Sequence, residues 1–157
     1  MVKNIINSIS ILLISALFLA GCADTTPPLP TKTGKPDITI RADKEAVFNS
    51  LTDELITAGY MLKSVNETKD IAVYVIQHQK MMIVWEEMPV DELATINLVN
   101  TSSGVRLLSS ISYIGYPGTN MQRVVSGPGF VESETKARDN LKLYNIFLQV
   151  KSVLEKK

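Results

Sequence analysis

Hydrophobic and polar positions divide the chain into an N-terminal apolar run, a polar proline-rich stretch and a patterned remainder that begins at Ile38. Ile38-Thr39-Ile40-Arg41 alternates with the two-residue period of a half-buried strand. Val47, Phe48, Leu51 and Leu55 then recur at helical spacing. Asp43 stands where an N-cap belongs, and Gly59 where a left-handed residue would end the helix, so the pattern predicts a helix over 43–58. Two apolar runs, 60–65 and 71–77, flank the polar Asn66-Glu67-Thr68-Lys69-Asp70 and predict a hairpin. Met81-Met82-Ile83-Val84-Trp85 reads as a separate apolar run, stopped by Glu86, Glu87 and Pro89. Segments 95–100 and 105–114 bracket Thr101-Ser102-Ser103-Gly104 and predict a second hairpin. Tyr116-Pro117-Gly118-Thr119 places proline and glycine at the two central positions of a type II turn, and 121–126 supplies a last strand.

Segment 133–155 contains neither glycine nor proline and predicts a long helix. Leu141, Tyr144 and Leu148 form one apolar stripe, while Leu143, Phe147, Val150 and Leu154 form another on a different face. Their combined breadth exceeds the ~100° face of a surface helix. The expectation is that Leu148 lies in the core and that aspartate there unfolds the domain. The second stripe is then touched from another side, meets a partner or lines a ligand cavity. Strand, helix, a run of strands and a long closing helix together predict an α+β fold. A curved, mostly antiparallel sheet carries an N-terminal helix and a long C-terminal helix packed on it. Over 38–157 this element order, with the Tyr116-Pro117-Gly118 turn before a strand, resembles the helix-grip domains of bacterial envelope lipoproteins.

The N-terminus carries a more specific resemblance. Lys3 precedes an apolar run through Ile11-Leu12-Leu13-Ile14-Ser15-Ala16-Leu17-Phe18, closed by Leu19-Ala20-Gly21-Cys22. A membrane-spanning helix needs ~20 predominantly apolar residues. Segment 4–21 is shorter and is interrupted by Asn4, Asn7, Ser8 and Ser10, whereas its apolar part suits an export signal. Leu19-Ala20-Gly21-Cys22 resembles the lipobox of bacterial lipoproteins. The resemblance implies cleavage between Gly21 and Cys22, lipidation of Cys22 and removal of 1–21 as a signal peptide. Two or more acyl chains make such an anchor durable, because each buried methylene contributes about 0.8 kcal/mol. In the sorting pattern of these proteins an aspartate directly after the cysteine favours the inner membrane. Ala23 occupies that position and Asp24 follows, so the implied location is the outer membrane, facing the periplasm, or the outer face of the cell where there is a single membrane.

Residues 22–37 hold four of the seven prolines and read as a tether. Extended at ~3.1 Å per residue, the fifteen positions after Cys22 reach roughly 45 Å. The remainder, 38–157, suits a single domain able to build a core without disulfides or metals.

Removing the first 21 residues deletes one charge, Lys3, and leaves 15 basic against 16 acidic side chains. That balance offers no positive field for nucleic acid. Cys22 is the only cysteine and His78 the only histidine, which excludes an intrachain disulfide and a histidine-pair zinc site. His78 is expected at an exposed strand end, and Glu86, Glu87, Asp91 and Glu92 in a solvated acidic loop around Pro89. Tyr74 and Trp85 read as core, Met81, Met82 and Met88 as gap-fillers, and Tyr113 and Tyr116 as strand-end packing or an aromatic surface. No nucleophile elbow, phosphate loop or dinucleotide fingerprint occurs. No catalytic residue, metal or cofactor is implied. The sequence therefore points to a lipid-anchored, non-enzymatic binding or assembly accessory whose partners are the membrane and an envelope protein. The alternative is a carrier of a lipid or other apolar ligand.

Overall fold

The computed structural model of the chain describes residues 29–32, 34–83, 86–125 and 133–156. Strand β1 (Asp37–Ile40) leads to helix α1 (Lys44–Thr57). Strands β2 (Met61–Val65), β3 (Ile71–Ile83), β4 (Glu86–Thr101), β5 (Gly104–Gly115) and β6 (Arg123–Val125) follow, and helix α2 (Ser133–Leu154) closes the order. The sheet runs β1-β5-β4-β3-β2, with β6 also paired to β5, and every pairing is antiparallel. The fold is α+β, a mostly antiparallel sheet with an N-terminal and a C-terminal helix, as the pattern predicts; the sheet is open and has six strands.

Local chemistry fixes these elements. Asp43 has extended backbone geometry, and its carboxylate accepts the Ala46 N–H at 2.9 Å, satisfying an amide that the first turn of α1 cannot. Gly59 ends α1 at φ +92°. β4 and β5 pair without slip from Thr101↔Gly104 to Val90↔Gly115. Along β5, Val105, Leu107, Ser109, Ile111 and Tyr113 are buried while Arg106, Ser110 and Ser112 are exposed, the period-two signature of a sheet covered on one face. Gly104 has φ +130°, and a Cβ there would stand 2.1 Å from the Ile40 carbonyl oxygen, so only glycine fits.

Both helices bury one face in a single apolar cluster over the sheet. Val47, Phe48, Leu51 and Leu55 of α1 meet Leu143, Ile146, Phe147 and Val150 of α2, with Ala94, Ile96, Leu98, Leu107 and Ile111 beneath. This reverses the expectation for α2. Leu141 and Tyr144 are half-buried, and Leu148 is 40% exposed. The stripe containing Phe147 and Val150 is the core face, because the sheet and α1 lie on that side.

One end of this layer is closed by main-chain contacts and surface ion pairs. Leu98 N–H donates to the Asp70 carbonyl at 2.7 Å, and Lys44 pairs with Asp70. Glu155 accepts the Arg41 N–H at 2.8 Å, and Lys151 donates to the Thr39 carbonyl at 2.7 Å. The other end, where α1 finishes and α2 begins, is the mouth.

β3 and β4 overrun their neighbours at the mouth. The apolar run at Met81 is the distal part of β3, which pairs with β4 as far as Ile83↔Glu86. The register shifts by one residue between Ile76 and Gln79, so Gln77 and His78 oppose Asp91 alone. That bulge places Met81 opposite the buried Met88 and Lys80 opposite the exposed Pro89.

Candidate functional site

The mouth gathers four polar side chains from four parts of the chain. Counting outward from the Thr101↔Gly104 pair brings Glu92 of β4 opposite Tyr113 of β5. Tyr60 enters directly after Gly59, at the end of α1, and Asp139 projects from the first turns of α2. Tyr60 donates its O–H to Glu92 Oε1 at 2.5 Å, and Tyr113 donates to Asp139 Oδ2 at 2.7 Å. All four residues are buried, Glu92 to 2% exposure.

Burying a carboxylate is costly unless it is hydrogen-bonded or paired, and the surroundings answer that cost. Arg138 Nε lies 3.6 Å from Asp139 Oδ1. Lys142 Nζ stands 4.7 Å from the Tyr60 ring centroid and donates to the Ala58 carbonyl at 3.3 Å, so it also covers the end of α1. Burial pushes the Tyr60 hydroxyl far above the ordinary tyrosine range, and the Glu92 and Asp139 carboxylates add to the effect. Burial likewise raises Tyr113, reinforced by its hydrogen bond to Asp139. Each phenol has one hydrogen, and each is already given to a carboxylate. The arrangement is a double clasp. Tyr60–Glu92 ties the end of α1 to the sheet, and Tyr113–Asp139 ties the sheet to α2.

Several sequence expectations change here. Glu86, Glu87, Asp91 and Glu92 do not form a solvated loop: all four belong to β4, and Asp91 and Glu92 are buried. Pro89 is compatible with that strand. Its carbonyl accepts from Tyr116 N–H at 3.0 Å, so its missing amide faces the region beyond the last β4–β5 pair, away from β3. Tyr113 is buried in the clasp and offers no surface, while Tyr116 is half-buried. Tyr116 opens the expected turn: its carbonyl accepts from Thr119 N–H at 3.3 Å, and Gly118 has φ +74°. His78 sits within β3 at the bulge, away from either strand end. Tyr74 is core, with its hydroxyl 2.8 Å from Thr52 Oγ1, and Met88 fills space beside Gly115. Gly21, Cys22 and Trp85 lie outside the described residues.

Sequence reasoning missed Tyr60, Glu92 and Asp139 as a group. The register of the second hairpin, carried nine residues out from its turn, would have paired Glu92 with Tyr113. No local signal points to Asp139 or Tyr60. Among the described residues, no cluster of three or more histidine, cysteine or acidic side chains is placed to hold a metal ion. Among them, too, no helix is long and apolar enough to cross a membrane. Comparison of the chain with protein-family models and with curated proteins finds no match.

Proposed function

We propose that the protein is a lipid-anchored component of the bacterial cell envelope, held through Cys22 on the periplasmic face of the outer membrane. There it acts as a non-enzymatic binding or assembly accessory. The observation that carries the reading is Leu19-Ala20-Gly21-Cys22 at the end of an export-type apolar run, followed at once by a proline-rich tether. The clasp at the mouth supports a structural role for its tyrosines and acids, since both phenolic protons are committed to carboxylates. The outward position of Leu148 and Val153 on α2 favours the accessory over the apolar-ligand carrier, because these side chains face away from the core.

The test is metabolic labelling with a fatty acid in wild type and in Cys22→Ser, followed by crosslinking in intact cells. The wild type incorporates label and crosslinks to an envelope protein, whereas Cys22→Ser remains an unlabelled, full-length precursor. Equal labelling of the two forms would overturn the anchor, and turnover of an envelope substrate by the purified protein would overturn the non-enzymatic reading.

A further inference from the structure

We infer that the outer edge of β2 is where the protein takes its partner, by adding an extended strand that carries an acidic residue between apolar ones. The inference deepens the binding-accessory reading above and rests on it. The two ends of the order β1-β5-β4-β3-β2 differ. β1 is gripped by its own chain: Lys151 Nζ donates to the Thr39 carbonyl at 2.7 Å, and the Arg41 N–H donates to Glu155 Oε1 at 2.8 Å. Among the described residues, β2 pairs with β3 alone. Asn66 N–H donates to the Ile71 carbonyl at 3.1 Å, toward β3. By the alternation of an antiparallel ladder, the N–H and C=O of Val65 therefore point to the open side.

The side chains along that edge are apolar and uncovered. Met61, Leu62 and Val65, with Ile71 at the start of β3 and Ile56 in the last turn of α1, are between 39% and 55% exposed. A free edge is ordinarily blunted by charge, proline or a covering element, and contiguous exposed apolar groups mark an interaction surface. Register spreads these groups over both faces of the sheet. Leu62 and Val65 stand opposite Tyr74 and Ala72, which face the core, whereas Met61 stands opposite Val75 on the other face. A strand laid against β2 meets main-chain partners and apolar neighbours on both sides, the two requirements of strand addition.

Lys63 selects the occupant. It stands at the middle of β2, in the register shift between Leu62 and Ser64, and is exposed. Nearby cations are already paired, Lys44 with Asp70 and Lys69 with Glu45, but Lys63 has no ion-pair partner among the described residues. Two copies joined edge to edge about the middle of β2 would set Lys63 against Lys63, and like charges directly opposite are destabilising. A strand with glutamate or aspartate at that position completes an ion pair instead, while its flanking apolar side chains meet Met61, Leu62 and Val65. The occupant is thus an extended apolar–acidic–apolar segment of another envelope protein.

The probe is the blocked, fluorescently labelled peptide Thr-Ile-Val-Glu-Val-Ile-Thr, which reads alike in both directions, beside the same peptide with a central lysine. Each is titrated by anisotropy against the purified full-length protein in detergent. The glutamate peptide should bind about fivefold more tightly than the lysine peptide, and Lys63→Glu, melting like wild type, should reverse that order. Val65→Pro removes an outward N–H and no bond to β3, so it should fold and lose both peptides. Equal affinity for the two peptides, binding of neither, or undiminished binding by folded Val65→Pro overturns the inference; if Val65→Pro does not fold, Lys63→Glu decides. Wild-type dimerisation that excludes the glutamate peptide assigns the edge to a second copy and overturns it too. In intact cells, a wild-type crosslink to an envelope protein that Lys63→Glu retains in full overturns the edge and leaves the accessory reading standing. Absence of any wild-type crosslink overturns both.

Discussion

At the closed end of the fold, carbonyls and amides of the connections meet each other, and the ion pairs sit toward solvent, as with Lys44–Asp70 and Lys151–Glu155. At the mouth, two carboxylates are buried and held by tyrosine hydroxyls. The two ends share β4, β5 and both helices, so the difference lies in side chains rather than architecture. The closed end could lose any one of its surface pairs at small cost, since exposed ion pairs contribute about 0–1 kcal/mol. The mouth has no such slack: removing one member of a buried pair strands the other. Folds depart from plain apolar packing mostly where they do something specific. At the mouth the departure is the burial of Glu92 and Asp139.

The largest contrast comes from Val150, fully buried on α2 near the closed end. Val150→Asp buries a carboxylate without partners and should remove several kcal/mol from a typical total of ~5–15, leaving no cooperative melt by circular dichroism. A near-native melt would place the core elsewhere. Next in size is an alkaline effect confined to the mouth and its neighbour Tyr74. Burial raises Tyr60, Tyr113 and Tyr74 above the ordinary tyrosine value of about 10. Their contribution is fully present below pH ~10 and is lost as pH rises beyond it, because the unfolded chain then releases protons that the folded chain retains. Urea midpoints should fall steadily from about pH 10 upward, and absorbance near 295 nm should show Tyr60 and Tyr113 ionising only on unfolding.

Smaller again is Tyr60→Phe, which deprives Glu92 of its hydrogen bond and should cost about 1–3 kcal/mol. The double variant Tyr60→Phe with Glu92→Gln should cost less than the sum of the single changes. Strict additivity would mean that the two side chains do not act as a pair. The smallest effect belongs to Leu148→Asp, on the exposed side of α2, where the shift should stay within about 0.5 kcal/mol. A collapse there would mean that the outward stripe carries the fold after all.

Much of the architecture was legible in the residues. Asp43, Gly59, the Asn66–Asp70 turn, the Thr101–Gly104 turn and the span of α2 all declare themselves through local chemistry. Two things did not. The first half of β4 carries Glu86, Glu87, Pro89, Asp91 and Glu92, which locally favour a loop. Pairing with β3, and donors such as Tyr60 supplied from elsewhere, override that preference. Both stripes of α2 carry large apolar side chains, and the choice between them is made by where α1 and the sheet lie. The clasp stayed hidden for the same reason: Tyr60 and Glu92 are 32 residues apart, and Tyr113 and Asp139 are 26 apart.

The pairing of β1 with β5, and the grip of α2 on the end of β1, also set the order in which the molecule can be made. Ile40 finds its partner only when Val105 has emerged, and the Arg41 amide finds Glu155 only at the far end of the chain. No N-terminal half can complete itself early, because the partner strand of β1 and the helix that grips its end both arrive late. Such distant closures slow folding, since the loop entropy must be lost before the contacts form. A chain built this way cannot close its sheet and cover its edge until its last helix is available.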